Sequence, residues 1–68
     1  MTTEQMRKAR EASPFVPFTI RMADGTVLRI KHRDYLSISP IGRIAVVYDN
    51  DGSANIIDLL LVTSLSRG

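Results

Sequence analysis

The 68-residue sequence has no cysteine, no tryptophan and one histidine, with two tyrosines and two phenylalanines as its only aromatic residues. Each shortage excludes something. Without cysteine there is neither a disulfide nor a thiolate metal site, the usual supports of a very small domain. With one imidazole, zinc lacks the three or four ligands it requires, and no metal or cofactor is expected. His32 with Asp34 and the nearby serines is a weak basis for a nucleophilic triad, because the acid stands only two residues from the only base. No enzyme is expected. Long apolar runs are also missing. The densest, Ile56 to Val62, is far too short for a bilayer span and contains Asp58. The start, Met1-Thr2-Thr3-Glu4-Gln5-Met6-Arg7-Lys8, is polar with no apolar stretch behind it, unlike a signal peptide. A cytoplasmic protein without a membrane partner is the expectation.

Glycine is sparse too, four in all, and forms no phosphate-cradling loop. Asp49-Asn50-Asp51-Gly52 resembles the opening of a calcium loop. Counted from Asp49, however, the required glycine falls on Ala54 and the bidentate glutamate on Leu60. The segment reads as a hairpin turn. Charge of one sign is scarce: the net is +2. Residues 1–34 carry seven basic and four acidic groups (net +3), and residues 35–68 two basic and three acidic (net −1). A basic half suits a nucleic-acid footprint, and it also suits scattered solubilising charge.

What is present describes one domain, residues 1–68, since domains rarely fall below about 50 residues. At this size folding buries only roughly 60% of the unfolded surface, so stability has to come from an apolar core or from oligomerisation. The spacing predicts a helix over about 3–12. Thr2 and Gln5 fit a capping box, Glu4 lies in the first turn, and Glu4/Lys8 and Arg7/Glu11 are opposite charges at i,i+4. Its apolar side is thin (Met6, Ala9, Ala12), so it has to lie against a sheet. Ser13-Pro14 ends it.

The β part runs over about 15–66. Phe18, Ile20 and Met22 alternate with Thr19 and Arg21, and Leu28 and Ile30 with Arg29 and Lys31. A two-residue Asp-Gly turn would set Ile20 opposite Arg29. A three-residue loop, Ala23-Asp24-Gly25, sets Ile20 opposite Leu28 and Phe18 opposite Ile30, and places Gly25 at the left-handed position. The apolar pattern selects the second. Further strands are expected at Tyr35–Ser39, at Ile44–Tyr48 (buried on both faces), at Ala54–Asp58 and at Val62–Leu65, with turns at 40–43 and 49–52. From Ile56 to Val62 alternation fails. Such a strand is covered on both sides, and a domain this small has few layers for that, so a subunit interface formed by Ile56, Leu59, Leu60 and Leu61 is expected, giving a homo-oligomer.

Arg21, Arg29, Lys31 and Arg33 alternate onto one sheet face. Such a row positions a phosphate backbone without reading bases, so RNA or DNA is an expected ligand. The opposing reading is a solvated face paired with Glu4, Glu11 or Asp58. Tyr35 and Tyr48 would supply stacking, but neither clearly shares that face.

Pro17-Phe18, Asp24-Gly25, His32, Asp34-Tyr35, Pro40, Gly42-Arg43, Asp51-Gly52 and Ile57-Asp58-Leu59 resemble the pattern of a family of small bacterial proteins without an assigned activity. The resemblance spans roughly 14–65, rests on turn glycines and core positions, and implies a fold more than a chemistry. More distantly, a short helix followed by a bent five-stranded sheet is similar to the Sm-like fold of bacterial RNA chaperones, which close into rings by strand pairing and bind RNA on ring faces. In that comparison Ile57-Asp58-Leu59 stands where those chaperones carry a basic-histidine signature. The expected fold is therefore mainly β: a small, strongly bent antiparallel sheet or barrel, Sm-like or SH3-like, of five to six strands after one short N-terminal α-helix. The expected function is a self-assembling, non-enzymatic binding module that takes nucleic acid on its basic face. The alternative is an adaptor that binds another protein through an apolar patch around Ile41 and Leu59–Leu61.

Overall fold

A computed structural model describes residues 2–67. Helix α1 spans Thr3–Glu11 and starts in a complete capping box: the Thr2 hydroxyl accepts from the Gln5 N–H, and the Gln5 side chain accepts from the Thr2 N–H at 2.9 Å. Strands follow at β1 (Phe18–Met22), β2 (Val27–Ile30), β3 (Leu36–Ile38), β4 (Ile44–Tyr48), β5 (Ala54–Asp58) and β6 (Val62–Arg67). Single 3-10 turns at Arg33–Tyr35 and Leu59–Leu61 separate β2 from β3 and β5 from β6.

The strands form two antiparallel three-stranded sheets, ordered β2-β1-β6 and β3-β4-β5. The molecule is mainly β with one N-terminal helix, as expected. Among the described residues no ladder closes the two sheets into a barrel. The physical reason lies in the two 3-10 turns, which break the chain where a continuous bent strand would have carried the pairing from one sheet into the other. The Cα radius of gyration, 10.9 Å, is that of a chain of this length folded around one core, for which about 11 Å is typical.

The first hairpin has the three-residue loop. Phe18 pairs with Ile30 and Ile20 with Leu28. Gly25 takes φ +92°, a region that costs other residues a Cβ clash. The second hairpin repeats the construction. Met22 and Thr26 close the first loop and Asp49 and Ser53 the second, through N–H to O bonds of 2.8 and 2.9 Å. In each loop an aspartate precedes the glycine, and its carboxylate accepts from the backbone N–H two residues on, Asp24 from Thr26 and Asp51 from Ser53, both at 2.9 Å. These Asx turns hold the Asp24 and Asp51 carboxyls below the usual carboxylate range, through the bonds from Thr26 and Ser53 respectively.

Both sheets and the helix contribute to one core, made of Met6, Phe18, Ile20, Ile30, Leu36, Ala45, Val47, Ile57, Leu59 and Val62. Two expectations are corrected here. β4 is not buried on both faces: Ala45 and Val47 point inward while Ile44 and Tyr48 are exposed, because no further layer covers the outer side. The run from Ile56 to Val62 is not one doubly covered strand. Ile57, Leu59 and Val62 face the core, a strand step of two followed by a 3-10 step of three, while Ile56, Leu60 and Leu61 point outward. Leu59 is fully buried in its own chain, so it is a core residue and not part of an exposed interface.

Candidate functional site

The four cations of the expected basic face have different fates. The hairpin register sets Thr19 opposite Arg29 and Arg21 opposite Val27, so Arg21 and Arg29 leave the same side of the β1–β2 ladder. Arg33, in the 3-10 turn, leaves the row. Its guanidinium donates to the Ala12 carbonyl at 3.0 Å, stands 3.9 Å from a Glu11 carboxylate oxygen and lies 5.7 Å over the Phe15 ring. It serves the C-terminal end of α1, where a cation satisfies an orphan carbonyl and opposes the helix dipole. Glu11, expected to meet Arg7, also pairs with Arg10, whose Nε donates to the Leu36 carbonyl at 2.6 Å. Helix α1 is thus tied to β3 and to the turn ahead of it by two arginines.

Arg29 and Lys31 remain at the free side of β2, and there they meet groups that sequence periodicity does not connect to them. A groove of about 210 Å³ lies between β2 and the end of the β4–β5 hairpin, and its polar lining is Arg29, Lys31, Tyr35, Tyr48, Asn50 and Asn55, with Asp49 the one acid. Tyr35 comes from the 3-10 turn and is fixed by its hydroxyl, which donates to the Asn50 side-chain amide oxygen Oδ1 at 3.0 Å. That bond links the turn ahead of β3 to the loop after β4. Tyr48 closes β4 on its outward side, with its ring exposed. The His32 ring stands 6.0 Å from Tyr35, edge to face, beside the groove's lining. Arg21 lies outside the groove.

The arrangement offers two cations for phosphate, the exposed Tyr48 ring for stacking with the half-buried Tyr35 beside it, and the Asn55 amide for base edges. Among the described residues no group of three or more His, Asp or Glu side chains could hold a metal ion, and no helix is long and apolar enough to cross a membrane.

A second surface is apolar. Ile41 is 84% exposed, Ile56 74% and Leu60 64%. The Ile41 turn and the Leu59–Leu61 turn are joined by the bond from the Leu59 N–H to the Arg43 carbonyl, 2.8 Å, and by Arg43 Nε to Asp58 at 3.0 Å. Asp58 also caps the 3-10 turn by accepting from the Leu60 N–H at 2.9 Å. That bond first, and the Arg43 guanidinium second, hold its carboxyl below the usual range.

The two tyrosines are nameable from the sequence as the stacking candidates, but their place beside the cations is not. Which strand end faces which is set by the packing of one sheet on the other, and no periodicity encodes it. Compared with known proteins, the chain matches no family model, no curated protein and no solved structure.

Proposed function

We propose that the protein is a non-enzymatic binding module, acting in the cytoplasm, whose ligand is single-stranded nucleic acid held in the groove between β2 and the β4–β5 hairpin. The observation that carries this reading is the convergence of Arg29 and Lys31 with Tyr35 and Tyr48 on one groove, from three separate parts of the chain. Cations alone fit any solvated sheet face. Cations beside aromatic faces fit a strand whose bases are unpaired and free to stack. Two three-stranded sheets around one core also support reading the fold as a small barrel of Sm-like or SH3-like kind, left open at the 3-10 turns. A labelled single-stranded oligonucleotide titrated in low salt tests the function. Arg29→Glu with Lys31→Glu abolishes binding, and Tyr48→Ala weakens it by roughly tenfold, the loss of one stacked base at about 1–3 kcal/mol. Unchanged affinity in both variants contradicts the proposal.

The second reading is the protein adaptor. The exposure of Ile41 and Leu60 on two joined turns favours it, since a charged groove has no use for them. For that reading Leu60→Asp removes partner capture while the charge reversals at Arg29 and Lys31 leave it intact.

A further inference from the structure

The four strand edges differ in how they are protected. β2 carries Arg29 and is followed by Lys31, β3 is only three residues long, and β6 is offset by a register shift opposite Arg21/Met22 and ends on Arg67. These are devices that discourage edge-to-edge pairing. β5 has none of them: its sequence, Ala54-Asn55-Ile56-Ile57-Asp58, holds no lysine, arginine, proline or glycine. It stands at the edge of its sheet. The bonds from the Asp49 N–H to the Ser53 carbonyl and from the Leu59 N–H to the Arg43 carbonyl fix the phase of the β4–β5 ladder. Odd-numbered residues of β5 therefore turn their backbone groups towards β4, and Ala54, Ile56 and Asp58 turn theirs to the open edge. Beside that edge runs a groove of about 260 Å³, walled by Met22, Leu28, Ile56 and Leu61 and carrying Asp24 and Asp58.

We propose that this edge pairs with the same edge of a second copy, forming a two-fold homodimer through an antiparallel β5–β5 ladder centred on Ile56. The choice of a second copy rests on self-complementarity. With Ile56 on the two-fold, it faces its own symmetry mate, and Ala54 faces Asp58 of the other chain. Within that ladder no charged residue stands opposite another, and Asp58 is already compensated by Arg43. Every edge-facing backbone group from Ala54 to Asp58 finds its complement. The outer face then brings together two copies of Ile56, which is otherwise 74% exposed, with Ile44 and Val46 on the neighbouring strand. The dimer follows from the edge and its register, independently of what the Arg29/Lys31 groove binds.

Native mass by light scattering over a concentration series tests it on three chains. The unaltered chain is a dimer that dissociates on dilution. Ile56→Lys sets two ammonium groups against each other on the two-fold and is monomeric, with a circular dichroism melt like that of the parent because the site is exposed. Ile56→Cys, in a chain with no other cysteine, forms a disulfide-linked dimer on mild oxidation, since residues opposite each other at a hydrogen-bonded pair have Cα atoms about 5.5 Å apart, within disulfide reach. A monomer at every concentration overturns the proposal and leaves the edge to a strand from another protein. An oligomer that persists in Ile56→Lys, or one that Ile56→Cys does not cross-link, overturns it as well and places the interface elsewhere.

Discussion

Arg33 and Asp58 are each held by several partners, and those partners decide what the residue does. Arg33 bonds the Ala12 carbonyl, stands near Glu11 and covers Phe15, so its charge serves the end of α1. Arg33→Met accordingly lowers stability by about 1 kcal/mol, the usual worth of a part-buried hydrogen bond with a helix-end charge, which moves Tm down by roughly 4–8 °C in a domain of this size. Oligonucleotide affinity stays within about twofold, because the Arg33 guanidinium is taken up by the Ala12 carbonyl and Glu11 and does not line the groove. Thermal melts and anisotropy on the same sample check both halves. Asp58, Asp24 and Asp51 share a different property: hydrogen bonds hold their carboxyls below the ordinary value of 3.8, from the Leu60 and Thr26 backbone N–H groups for the first two and from the Ser53 side chain and then its N–H for Asp51. A carboxyl with a lowered folded-state pKa stabilises the fold fully above its unfolded value, and the contribution is lost as pH falls through the folded value. Tm is therefore flat above about pH 5 and declines below the ordinary carboxylate value. Asp58→Asn, which keeps an acceptor for the Leu60 N–H but no charge, flattens that acid decline. Melts recorded across the acid range check it.

Among the elements, the short 3-10 turn at Leu59–Leu61 has the largest consequence. It converts six apolar residues in seven from an apparent doubly buried strand into an alternation of inside and outside positions. Leu59 is 0% exposed and Leu60 64%, side by side in sequence. Leu59→Ala opens a cavity in the middle of the core and costs about 2–5 kcal/mol, enough to leave so small a domain largely unfolded. Leu60→Asp stays within about 0.5 kcal/mol of the parent, as surface changes do. Denaturant titration of the two variants separates them, and unfolding by Leu60→Asp would place that side chain in the interior. The hairpins were legible from sequence because their information is local. A three-residue loop with glycine last, and alternating apolar residues on either side, fix register without reference to anything distant. The capping box was legible for the same reason. The failure of alternation after Ile56 was visible too, but its cause was not, because a single 3-10 turn and a second covering layer produce the same run of apolar letters.

In the whole molecule, the candidate site exists only through the packing of two sheets. Arg29 and Lys31 belong to one sheet's edge, Tyr48 and Asn55 to the other sheet, and Tyr35 to the turn that connects them. Periodicity aligns Arg29 and Lys31 on one side of the chain but cannot pair them with the tyrosines, since inter-sheet packing is a long-range outcome of burying one shared core. It also groups Arg33 with them by parity, and the 3-10 turn breaks that parity. The proposed function requires that this groove, and no other face, takes a single strand of nucleic acid. Backbone amide chemical shifts measured while a short single-stranded oligonucleotide is added test it most directly. Shifts are expected at Arg29, Lys31, Tyr35, Tyr48, Asn50 and Asn55, and the affinity they report falls as salt is raised, with a slope of log K on log salt of about −0.7 per phosphate neutralised. A spectrum that does not move, or one that moves on α1 and β6 while the groove stays silent, contradicts it.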